Sequence, residues 1–192
     1  DLSLTTSQQF IPILFSFLFS TTVVGLYAMA NRMLRLPNIV ITSSIANVFR
    51  NDAIDEIRIS GHCKQLYVST FKKLLLLSIP IYFIVFVLAP TLFQVAFGEE
   101  WLEAGYYARI IALFLCVEFV ATPLNTMFYI REKQKLLMRL QFLNAVFGAL
   151  AIYLGAMIFD NARVSLVFYS ATTLSFNLIM LFFSYKIATN KL

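Results

Sequence analysis

Two arginines set inside an apolar run carry the first chemical signal in this sequence. Residues 23–49 read VVGLYAMANRMLRLPNIVITSSIANVF, long enough to cross a bilayer as a helix. Arg32 and Arg35 would lie about 10 and 15 Å along that helix from Gly25, at ~1.5 Å per residue. Each arginine near a helix centre costs about 2.5 to 3.5 kcal/mol, so roughly 5 to 7 kcal/mol must be offset by the surrounding Ile, Leu, Val and Met side chains. A membrane helix that keeps such a pair usually faces a wet cavity or a partner anion. The polar positions form a face: Asn31, Arg35, Asn38 and Thr42 recur at i, i+4, i+7 and i+11, with Arg32 one step beside them. A guanidinium in a low-dielectric cavity binds an anionic headgroup through strong charge-assisted bonds. The alternative is an ion pair or carbonyl contact that locks helices together. Arg32, Arg35, Asn31 and Asn38 are therefore the candidate substrate-binding residues, and Pro37 is expected to bend the helix beside them.

A second stretch repeats the pattern. Glu118, Thr122, Asn125 and Tyr129 fall at the same spacing on another apolar helix, giving a second wet face with one carboxylate near mid-depth. Glu118 is the candidate coupling residue, which could exchange a cation during transport. Against that stands a structural role, with the carboxylate paired to one of the arginines. The other reactive side chains offer less. His62 is the only histidine and sits in a charged stretch, and the two cysteines, Cys63 and Cys116, have neither a disulfide framework nor metal-ligand spacing. No cofactor and no metal are expected. Glu99, Glu100, Trp101 and Glu103 suit a helix start with an interfacial anchor better than a sugar site.

The elements that must position these residues follow from composition. The chain has 192 residues, 60% hydrophobic and 13% charged, with a mean hydropathy of +0.80. Soluble domains are about 45 to 50% apolar and about 25% charged, so this is an integral membrane protein. The expected fold class is all-α and polytopic, with spans at about 3–20, 24–49, 74–97, 106–130, 140–159 and 164–185. Residues 50–73 are polar and read as a surface loop with local helix divided at Gly61. Ala145, Gly148, Ala149, Ala151, Gly155 and Ala156 give the fifth span small-residue spacings that suit close helix packing.

The net charge of +5 does not point to nucleic acid, because the basic residues sit in short connections beside apolar helices. They report orientation instead. Eleven of the fifteen Lys and Arg lie in 50–73, 131–139 and the C-terminal tail, and only Arg109 and Arg163 fall on the other side. The positive-inside rule then places both ends of the chain in the cytoplasm. No signal-peptide pattern opens the chain, which reads as a piece of something longer.

Three stretches carry a resemblance: VVGLYAMANRMLRLPNIVITSSIANVFRNDA, then FGEEWLEAGYYARIIAL, then PLNTMFYIREKQKLLMRLQ. Over about residues 10–140 the chain resembles the second half of a bacterial polysaccharide flippase of the O-antigen type, in the multidrug/oligosaccharidyl-lipid/polysaccharide exporter superfamily. The resemblance implies a six-helix lobe of a transporter with about twelve spanning helices in two lobes around a central cavity. It implies a lipid-linked oligosaccharide on polyprenyl pyrophosphate as substrate, an N-terminal six-helix lobe and membrane lipids as partners, and the bacterial inner membrane as location. Arg32 lies in the GLYAMANR part of the match, whereas Glu118 falls where the resemblance supplies no fixed carboxylate. Other members of the superfamily export drugs by cation coupling or flip peptidoglycan precursors; arginines in the lobe suit an anionic lipid better than a cationic drug. A polymerase or ligase acting on the same lipid-linked sugars would need a sizeable outer loop with acidic or histidine catalysts. The outer loops here are about ten residues or fewer with no paired catalytic spacing, so no enzyme activity is expected.

Overall fold

The computed structural model describes residues 13–190, which are helical with short connections and no strand. Most of the first expected span, 3–20, lies outside the described residues; of the remainder, residues 13–18 are helical. The arginine helix, α1, runs through Thr21–Ser60, 40 residues, and does not stop at Pro37. Ser20 caps its N-terminus by accepting from the Val23 amide, and Gly61 ends it in the left-handed conformation at φ 76°.

The stretch 50–73 is not the expected loop. It is the end of α1, a turn at residues 61–63, and the start of α2, Lys64–Phe97. Its polarity reports water around the helices rather than loss of helix, since residues 50–60 contain neither glycine nor proline. Phe49 and Ala53 are buried and Ile57 half-buried at i, i+4 and i+8, keeping one apolar stripe on the core. Gly61, read as the divider, is where the chain turns.

Pro80 and Pro90 lie inside α2 without interrupting it. After Gly98 come a 3-10 turn at Glu99–Trp101, α3 at Leu102–Leu124, a short α4 at Thr126–Ile130, α5 at Gln134–Phe159 and α6 at Ala162–Ala188. The expected single helix at 106–130 is thus interrupted at Asn125, two residues after Pro123. There the carbonyl of Leu124 accepts from Ser184 Oγ at 2.6 Å, and that of Pro123 accepts from Thr126 Oγ1 at 2.7 Å. These two hydroxyls supply donors at the interruption, and backbone acceptors at membrane depth require such partners.

Four runs are long and apolar enough to cross a membrane: Lys64–Phe97, Glu99–Ile130, Gln134–Phe159 and Ala162–Ala188. The chain is therefore a polytopic helical membrane protein. The arginine helix has the length but is not among the four, because its polar face lowers its hydropathy.

Of the four, only the run containing α3 is more than half buried, 56% against 22 to 33% for the others, so α3 is the central post. Gly105 of α3 presses on α2 so closely that a β-carbon there would lie 2.4 Å from Pro90 Cα; Gly155 of α5 is as tight against Ser165 of α6, at 2.6 Å. Leu76, Val95, Phe142 and Ile158 point outward, 67 to 81% exposed, an apolar surface that lipid covers.

The two ends of the bundle differ. At one, Arg131 donates to the Gly61 carbonyl and the Cys63 amide donates to the Ala188 carbonyl at 3.1 Å. At the other, Arg163 pairs with Glu103, Nε to Oε1 at 2.6 Å.

Candidate functional site

The two polar faces read in the sequence meet. Arg35 on α1 and Glu118 on α3 form an ion pair, Nη1 to Oε1 at 2.7 Å, with a second arm from Nη2 to Oε2 at 3.4 Å. The side chains are 13 and 20% exposed. The Arg35 Nε–H donates to Asn31 Oδ1 at 2.9 Å, one helical turn back, and the guanidinium lies 5.7 Å from the centre of the Phe114 ring. Three of its donors are thus committed by geometry, and the two-armed contact is the strong form of an arginine–carboxylate pair.

The pair borders a cavity of about 270 Å³. From α1 come Arg35, Asn38 and Thr42, and from α3 and its interruption come Glu118, Thr122 and Asn125. The other wall is α5 and α6, through Gln141 and Asn144 and through Tyr169, Thr173 and Asn177. Four buried polar atoms on this one wall system have no partner among the described residues: Oδ1 of Asn38, Asn125 and Asn144, and Oγ1 of Thr173. Unpaired groups so buried are costly, and their convergence marks a place built to be wet or occupied.

Of the candidates, Arg35, Asn38 and Glu118 line the cavity, and Asn31 holds Arg35 from behind. Arg32 does not join them. It is exposed and forms neither of the two ion pairs found among the described residues. It shares a helix stripe with Ile39 and Ser43, which do line the cavity, but lies about 10 Å before Ile39 along the axis, short of Arg35, where the α1 lining of the cavity begins. Tyr129, the last member of the second face, is also exposed and outside the cavity, because the interruption at Asn125 shifts the register after it.

The contributions of α5 and α6 were not singled out in the sequence, although the same signal was there. Gln141 and Asn144 are spaced i, i+3, and Tyr169, Thr173 and Asn177 i, i+4, i+8. The small residues of α5 drew the reading toward packing, and they do pack: Gly148 and Gly155 take α6 on the same helix that carries Gln141 and Asn144.

At the Gly61 end, Cys63 is fully buried with its thiol 3.6 Å from Met127 Sδ. Burial, with the Glu56 carboxylate adding to it and Arg131 opposing, pushes the thiol up to about 11.

No curated protein and no solved structure matches the chain. A family model described as polysaccharide biosynthesis protein matches residues 1–106, more than half of the sequence and the part that holds Arg35 and its helix. With four apolar spans, three of which join the arginine helix in lining the cavity, the chain is a membrane protein that belongs to the polysaccharide biosynthesis protein family, of flippase-like type.

Proposed function

We propose that this chain is one lobe of a transporter that flips a polyprenyl-pyrophosphate-linked oligosaccharide across the bacterial inner membrane for surface polysaccharide synthesis, of the O-antigen and lipopolysaccharide kind, together with an N-terminal six-helix lobe. The observation that carries the reading is the Arg35–Glu118 pair at the edge of a polar cavity inside an apolar bundle. Ionisable residues at such depth mark substrate or ion pathways. No bond of the substrate is made or broken in this reading, so the chain works as a transporter and not as an enzyme.

The roles divide by geometry. Arg32, on the open side of α1, contacts the anionic pyrophosphate. Arg35, already paired, holds α1 to α3 through Glu118 and shapes the cavity with Asn31 and Asn38. Glu118, the coupling candidate, acts by letting go of Arg35 and so freeing α1 from α3.

The test is surface polysaccharide export by the whole transporter in cells, with membrane abundance measured alongside. Arg32→Ala is expected to cut export about ten-fold or more at normal abundance, and Arg32→Lys to keep part of it, since lysine retains the charge without the bidentate fork. Normal export by an abundant Arg32→Ala/Arg35→Ala variant would overturn the reading.

A further inference from the structure

We propose that the cavity beside the Arg35–Glu118 pair is a subsite for one uncharged sugar ring, separate from the place that holds the anionic headgroup. Its choice of ligand rests on the transport reading; its geometry does not.

Charge is the first argument. Among the described residues, Arg35 and Glu118 are the only charged side chains on the cavity, and they neutralise each other across 2.7 Å. A pyrophosphate seated there would meet Glu118 at close range and would have to take Arg35 away from it. A cation gains no more, because the one carboxylate is already spent on a guanidinium, and no group of three or more His, Cys, Asp or Glu is placed to hold a metal among the described residues.

Hydrogen-bonding chemistry is the second. Asn38, 6% exposed, lines the space together with Asn125 and Asn144 from two other helical segments, and the Oδ1 of each is buried without a partner among the described residues. A side-chain amide presents a donor and an acceptor in one plane, and either can face the ligand by rotation about the last bond. A sugar hydroxyl also both donates and accepts, so three convergent amides match vicinal hydroxyls better than they match an ion. Tyr169 adds an apolar wall.

Size is the third. About 270 Å³ is just below the usual size of ligand pockets, which run from about 300 to 1,000 Å³. One ring fits and a chain of several does not. The saccharide would thus be gripped at a single unit while the remainder stays in the open part of the transporter.

Saturation-transfer NMR on the purified full chain in detergent micelles tests this, with methyl α-glucoside, methyl α-galactoside and methyl N-acetyl-α-glucosaminide as probes and inorganic pyrophosphate as competitor. At least one glycoside is expected to show saturation of its ring protons. Asn144→Leu and Asn38→Leu should each weaken it about ten-fold, the size of one lost hydrogen bond, and pyrophosphate should not displace it. Helicity and elution of each variant are measured in the same samples, and Asn144→Asp serves as a second, polar variant where leucine disturbs the fold. Absence of saturation from all three glycosides, displacement by pyrophosphate, or signals unchanged in folded Asn38 and Asn144 variants would overturn the subsite. Export in cells separates the two readings. If an abundant Arg32→Ala/Arg35→Ala variant exports normally while glycosides still bind the unchanged chain, the reading of an anionic lipid held by these arginines fails and the subsite stands; if that variant loses export while glycosides do not bind the unchanged chain, the subsite fails and the transport reading stands.

Discussion

Arg35 and Glu118, eighty-three positions apart in the chain, hold α1 against α3 through two hydrogen bonds at 2.7 and 3.4 Å. Neither helix brings a second ion pair to this contact among the described residues. The consequence is asymmetric. Removing one partner strands the other charge in a low-dielectric site and should destabilise by about 3 to 5 kcal/mol, whereas removing both with apolar residues of similar size should cost far less. Arg35→Met and Glu118→Leu are each expected to lower the thermal midpoint in detergent, and the double variant to recover most of the loss. Equal losses that add in the double variant would show that the pair is not coupled.

The all-helical, polytopic fold was legible because long apolar runs have few other solutions. Both polar faces were legible because period 3.6 survives inside a membrane helix. The continuity of α1 and α2 through residues 50–73 was not, since charge was read as loop when it reports only emergence from the bilayer. The exclusion of Arg32 from the cavity was also hidden. An i, i+3 pair spans about 60° of a helix, and whether both members reach one cavity depends on where α3 sits, which no spacing within α1 encodes. Asn144 is hidden behind the small residues that pack its helix, and Thr173 behind the apolar run that marks its helix as a span.

Cys63 should be chemically silent in the folded protein. It is fully buried, and its thiol is raised to about 11 from a usual value near 9. A raised pKa favours the neutral form in the folded state. The associated stability is fully present below the unfolded value and is lost as pH climbs from about 9 through 11. At pH 7.5 a maleimide is expected to label Cys63 only after unfolding in SDS, and alkaline unfolding should set in earlier for the wild type than for Cys63→Ala. Rapid labelling of native protein at that residue would contradict the buried turn.

Orientation offers a separate check. The segments 50–73 and 131–139 and Lys186, which hold ten of the described Lys and Arg, gather at the Gly61–Arg131–Ala188 end, and Glu103 meets Arg163 at the other. The first end should therefore be cytoplasmic. Single cysteines at Lys64 and Lys133 are expected to resist an impermeant maleimide in intact cells, and those at Glu100 and Asp160 to react. The reverse pattern would invert the lobe.

Arg109 is one of only two cations on the sparsely charged side, and its role follows from a proline. Pro90 has no N–H, so the carbonyl of Phe86, four residues earlier, lacks its helical donor. Arg109 Nε–H donates to that oxygen at 2.8 Å, and Nη2 reaches the Val87 carbonyl at 3.3 Å. The guanidinium also lies 5.6 Å from the Phe86 ring centre and 5.5 Å from that of Tyr106. At this same α2–α3 contact, Gly105 presses on Pro90. The arginine thus replaces across two helices the bond that the proline deletes within one. Arg109→Met is expected to destabilise by about 1 to 3 kcal/mol, the cost of leaving that carbonyl without a donor inside an apolar span. Pro90→Ala restores an amide donor to Phe86, so the same Arg109→Met change made in that background should cost less. A thermal-unfolding double-mutant cycle measures the difference, and a coupling of about 0.5 kcal/mol or more is expected for groups that share one acceptor. Strict additivity would mean that Arg109 serves the Phe86 and Tyr106 rings and that the freed carbonyl is satisfied elsewhere.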